Sequence, residues 1–77
     1  MERGAKMKYI KEYHFKNGEI VEVESNLELA DIIESIDEGI LKSHIGEILN
    51  NKTYIINCKE IVYILIKELK ENDKDGN

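Results

Sequence analysis

His14, His44 and Cys58 are the only imidazoles and the only thiol in the chain, so metal-centred or thiol chemistry would have to run through them. Their spacing argues against it. No two of them stand at the i, i+4 or CxxC separation that pre-sets a metal site, and zinc-finger spacing is absent. Cys58 would act as a nucleophile only if the fold brought a histidine to it; ahead of an apolar segment it reads as a small hydrophobe. Carboxylates are the other reactive groups. Glycosidase-style acid and base work needs two of them across a cleft with their pKa values pushed apart, and 77 residues leave little room for a sugar-sized cleft. No G-x-x-x-x-G-K-[ST] or G-x-G-x-x-G phosphate loop is present. The sequence therefore predicts no catalytic residue, no metal ligand and no cofactor, and a protein that is not an enzyme.

The most specific feature is a charge run. From Asn17 through Leu41 the chain carries Glu19, Glu22, Glu24, Glu28, Asp31, Glu34, Asp37 and Glu38 without one Lys or Arg. These acids are interleaved with Ile, Val and Leu, so they belong to folded elements. A solvated face explains them without any function. As a binding surface, Glu22, Glu24, Asp31, Glu34, Asp37 and Glu38 suit a protein partner with a basic surface. They could also imitate a DNA backbone and inhibit a nucleic-acid enzyme. The opposite bias sits at the N-terminus, where Arg3, Lys6, Lys8, Lys11 and Lys16 alternate with Tyr9, Tyr13 and Phe15 in the manner of single-strand binders. The blander reading is that the aromatics feed the core and the lysines pair with glutamates of the next strand. A net charge of −5 weighs against nucleic acid.

One domain of this size buries only roughly 60% of its unfolded surface, and a single cysteine rules out an internal disulfide. Self-association is the remaining source of burial, and thirteen isoleucines supply material for it. The longest apolar run, Ile61 to Ile66, is far shorter than the ~20 residues of a membrane span. No secretory signal pattern is visible, and one thiol suits a reducing compartment, so a cytoplasmic protein is expected, not bound to membranes.

The elements follow from periodicity. Residues 1–6 read as a flexible arm, 7–70 as one α+β domain and 71–77 as a disordered tail. From Lys8, period-two alternation with Tyr9, Tyr13 and Phe15 on one side predicts a strand. Lys16-Asn17-Gly18 then turns into a second strand, Glu19 to Glu24. A three-residue loop with Gly18 left-handed would pair Tyr13 with Val21 and keep Val23 on the aromatic side; a two-residue Asn-Gly turn would mix apolar and acidic groups, so the longer loop is expected. Ser25 to Glu28 reads as a capping box for a helix ending near Glu38, with Gly39 as its C′ glycine and Leu29, Ile32, Ile33 and Ile36 as its buried stripe. Asp37 and Glu38 would then lie unfavourably against the negative end of the helix dipole. Residues 40–48 are expected as a strand, Thr53 to Ile56 as another and 57–60 as a turn. Ile61 to Lys67 predicts a strand buried on both faces, against a rival helix capped by Asn57 and Glu60. The expected fold is a small, mainly antiparallel sheet with one helix packed on a face, in the order ββαβββ.

The segments Tyr13-His14-Phe15-Lys16-Asn17-Gly18 and Ile56-Asn57-Cys58-Lys59-Glu60-Ile61-Val62-Tyr63-Ile64 resemble small uncharacterised proteins of low-GC Gram-positive bacteria and their prophages. Such proteins combine an F-K-x-G hairpin, a helix and a closing I-N-x-x-x-I-V-Y-I strand, and the likeness spans about residues 8–68. It implies a strand at Ile61–Lys67 and assigns no active-site residue; residues 40–49 depart from the pattern. The resulting expectation is a regulatory or protein-interaction module, homo-oligomeric through Ile61, Tyr63 and Leu65.

Overall fold

The computed structural model describes residues 7–69; the arm expected at 1–6 and the tail expected at 71–77 lie outside them. Strands β1 (Tyr9–Phe15) and β2 (Ile20–Ser25) precede helix α1 (Leu29–Lys42). Strands β3 (His44–Leu49) and β4 (Lys52–Asn57), a short 3-10 turn at Cys58–Glu60 and strand β5 (Ile61–Glu68) complete the order ββαβββ. The fold is α+β, as expected, but the strands divide into two antiparallel sheets instead of one: β2-β1-β5 and β3-β4.

The first hairpin has the register that its apolar pattern requires. Tyr13 faces Val21 and Lys11 faces Val23. Gly18 takes φ 92°, a value that L side chains rarely adopt, and the Asn17 side chain accepts from the Glu19 amide at 2.9 Å. Strand β5 then adds to the other side of β1, with Tyr13 opposite Ile64. One face of this sheet, bearing Tyr13, Val23 and Ile64, turns toward the β3-β4 hairpin, whose Ile45 and Ile56 close the main core.

The helix departs from expectation at both ends. Ser25 is the last residue of β2, and its hydroxyl accepts from the Leu27 amide at 3.2 Å. Glu28 stands at the N-cap without a side-chain cap; its carboxylate pairs with Lys8 instead, so no capping box forms. At the far end the helix runs through Gly39 to Lys42, and Ser43 takes the left-handed cap at φ 73°, its amide bonding back to Gly39 and Ile40 carbonyls. Asp37 and Glu38 are therefore a turn short of the end, where Lys42 complements the dipole. The expected strand over 40–48 shrinks to His44–Leu49 because the first three of those residues are helical.

Gly39 has a packing role. A Cβ built there would lie 2.4 Å from Ile45 Cγ1 and 3.1 Å from the His44 carbonyl oxygen. Only a bare backbone lets α1 settle this closely on β3. Of the expected buried stripe, Ile32 is fully buried and Ile36 half-buried, but Leu29 and Ile33 are exposed. The helix leans on β3, and the sheet face it was expected to cover is covered by the β3-β4 hairpin.

Gly39→Ala should lower the unfolding free energy by about 1–3 kcal/mol, even though alanine is the better helix former by about 1 kcal/mol. Urea unfolding followed by circular dichroism measures it; an unchanged or raised midpoint would show that the helix is not held tightly against Ile45.

Candidate interaction surface

The predicted site residues fall on separate parts of the surface. On the outer face of the β2-β1-β5 sheet, three rows cross the strands: Glu24–Ile10–Lys67, Glu22–Glu12–Leu65 and Ile20–His14–Tyr63. Glu22 and Glu24 therefore share a face with Tyr63 and Leu65. Asp31, Glu34, Asp37 and Glu38 lie exposed on α1, and among the described residues no ion pair engages them. The six acids expected to form one partner surface thus belong to two elements.

Ile61 parts company with Tyr63 and Leu65. Tyr63 faces His14 and Ile61 faces Phe15, so Val62 is an extra residue in β5. In an unbroken strand 61, 63 and 65 would share a face; this bulge turns Ile61 to the other side, where it packs half-buried against the core. Along β5, Ile64 and Ile66 are half-buried, whereas Val62, Tyr63 and Leu65 stay exposed. The strand is not buried on both faces within one copy.

Several ionisable groups make contacts within the fold. Lys67 Nζ lies 2.6 Å from Glu12 Oε2, and His14 Nε2 lies 3.0 Å from Glu12 Oε1. Hydrogen bonding to Lys67, then to His14, holds the Glu12 carboxyl below its ordinary value, and the same contact raises Lys67. The His14 ring stacks on Tyr63 with centroids 4.2 Å apart. His44 has its Nδ1 3.2 Å from the Lys42 carbonyl oxygen, and Cys58 points its thiol at the Gly39 carbonyl oxygen, 3.7 Å away. Among the described residues no group of three His, Cys, Asp or Glu side chains could hold a metal ion.

One polar cluster escaped the sequence reading. Lys11 shares the core face with Tyr13 and is buried; its Nζ lies 2.6 Å from Glu47 Oε2, which also accepts from the Tyr13 hydroxyl. Burial, then the bond to Glu47, pushes the Tyr13 hydroxyl far above its ordinary value. A lysine at an odd position of an aromatic stripe, and a glutamate between Ile45 and Leu49, were the available signals. The lysines expected to pair with β2 glutamates go elsewhere: Lys8 to Glu28 and Lys11 to Glu47.

An apolar groove of roughly 370 Å³ runs between α1 and β5, lined by Ile36, Ile40, Cys58 and the four residues 61–64. No described helix is long and apolar enough to cross a membrane. Comparison with protein-family models, curated proteins and solved structures finds no match for this chain.

Because Tyr13 keeps its proton more tightly when folded, the stability it contributes is complete below pH 10 and is lost as pH rises past that value. Tyr13→Phe should cost about 1.5–3 kcal/mol at pH 7 and remove part of the alkaline loss. Denaturant unfolding at pH 7 and pH 10.5 measures both (about half a unit above the ordinary tyrosine value); equal pH dependence in the two proteins would mean that Glu47 does not hold this hydroxyl.

Proposed function

We propose that the protein is a non-enzymatic interaction module that works as a homo-oligomer and presents an acidic helix face to a basic protein partner. The observation that carries this reading is the imbalance of apolar burial. Among the described residues five hydrophobic side chains are buried, while thirteen large ones are exposed. Soluble proteins of one copy rarely leave large contiguous apolar patches in water, and a domain this small has few other means of stabilising itself. Seven of the thirteen lie on α1 (Leu29, Ile33, Ile40, Leu41) or β5 (Val62, Tyr63, Leu65), and of these Ile40, Val62 and Tyr63 line the groove between the two elements. Polar chemistry supports the same view, because Glu12, Lys11, Glu47 and both histidines are occupied by contacts within the fold.

The acids of α1 contribute the second half of the proposal. Asp31, Glu34 and Glu38 recur at helical spacing on the face away from Leu29, Ile33, Ile36 and Ile40. Oligomerisation through the apolar side leaves this acidic side outward, where it attracts cationic surfaces over about a Debye length.

Light scattering at high protein concentration should give a mass above the 8.9 kDa of one chain. A single-chain mass under those conditions would sink the oligomer. Replacing Asp31, Glu34 and Glu38 together by Lys should abolish retention on immobilised polylysine at about 0.15 M salt and leave the circular dichroism spectrum unchanged. Retention that survives the reversal would reduce the acidic face to a solubility device.

A further inference from the structure

Strand β5 is an edge strand. It pairs with β1 on one side, and its other side faces the groove walled by Ile36 and Ile40 of α1. Side chains of a strand alternate between faces, so when consecutive residues 61–64 line one groove, the strand turns its edge and its backbone toward it. An edge of this kind is a template for another strand.

We propose that the groove receives β5 of a second copy in antiparallel register, joining two three-stranded sheets into one sheet of order β2-β1-β5-β5-β1-β2. This mode of assembly rests on the self-association proposed above and specifies its geometry. The two edges of the sheet differ in protection. Strand β2 carries Glu22 and Glu24, charges that discourage edge pairing, whereas Ile61 to Ile66 holds no charge and no proline. The bulge at Val62 lies at the start of β5 and leaves residues 63–66 regular.

The exposed apolar area sets the scale. Leu29, Ile33 and Ile40 on the helix, with Val62, Tyr63 and Leu65 on the strand, are each 41% to 61% exposed, and Ile40, Val62 and Tyr63 line the groove itself. At roughly 150–200 Å² for a free side chain of this size, cover of all six would remove at most on the order of 500 Å² per copy, or roughly 1,000 Å² for a pair, which is the lower bound of a specific interface. Charge favours a copy as well. Each chain has a net charge of −5, yet every groove-lining residue is uncharged and the acids of α1 point elsewhere, so the groove itself turns no carboxylate toward a second copy. Residues 70–77, Lys70-Glu71-Asn72-Asp73-Lys74-Asp75-Gly76-Asn77, carry no apolar side chain to lay against Ile36 and Ile40.

Amide hydrogen exchange on the unmodified protein tests the pairing. In a solitary edge strand alternate amides point to solvent, and pairing on the second side protects consecutive ones. At a concentration where light scattering shows the oligomer, all amides from Val62 to Ile66 should exchange at least roughly tenfold more slowly than in dilute single chains, while alternate amides of β2 stay fast. Fast alternate β5 amides in the oligomer overturn edge pairing. So does equal protection at both concentrations. A cysteine scan in a Cys58→Ser background gives a second readout: Tyr63→Cys, Ile64→Cys or Leu65→Cys should form a cross-linked dimer on mild oxidation, because antiparallel copies place one of these positions opposite its own counterpart at roughly 5 Å between Cβ atoms. Ile48→Cys and Ile55→Cys, on β3 and β4 and more exposed than Tyr63 or Leu65, should not. Cross-linking at 48 or 55 alone overturns β5 pairing but keeps self-association; a single-chain mass at every concentration overturns both.

Discussion

Burial is the scarce quantity in this chain. A domain of 77 residues has a high ratio of surface to volume, and here its strands are divided between two sheets that share a core of Tyr13, Val23, Ile45 and Ile56. Much of the remaining architecture can be understood as a response. The helix is drawn onto β3 through Gly39, where a Cβ would run into Ile45, and yet most of its apolar stripe stays open. Strand β5 is apolar on both faces while one copy supplies cover for one of them. A surface left over in this way has to be finished by another molecule or remain an aggregation hazard.

The Lys11–Glu47–Tyr13 cluster adds direction to a core that is otherwise non-specific. Apolar contacts between the two sheets tolerate sliding, but a carboxylate that must meet an ammonium and a hydroxyl does not. Buried ions contribute little net stability once desolvation is counted, and removing one partner of such a pair is far more harmful than never having had it. In this protein the cluster joins β1 to β3, elements separated by the whole helix, so it ties the position of the β3-β4 hairpin over the first sheet.

Charge and apolarity are kept apart on the helix. Asp31, Glu34 and Glu38 follow one face and Leu29, Ile33, Ile36 and Ile40 the other, so one short element can offer two surfaces of opposite chemistry. The outer sheet face is different: Glu22 and Glu24 stand among Tyr63, Leu65 and Lys67, and Glu12 is paired with Lys67 and hydrogen-bonded to His14. Glu22 and Glu24 thus belong to the sheet, and Asp31, Glu34, Asp37 and Glu38 to the helix.

Neighbouring residues alone determined the first hairpin and the last strand. Clean alternation admitted one register for Tyr13 and Val21, Gly18 supplied the turn, and the β-branched run from Ile61 outweighed its rival helix. Those features depend on backbone stereochemistry and period-two patterning, which are local. Tertiary structure decided the rest. Gly39 has the composition of a helix stop, but contact with Ile45 made it an interior packing residue; Lys11 and Glu47 are ordinary surface types until two sheets enclose them. The bulge at Val62, which sends Ile61 inward, arises only when β5 is fitted against β1. Partners brought together from distant parts of a chain leave no periodic mark on it, because their proximity is a property of the packed molecule.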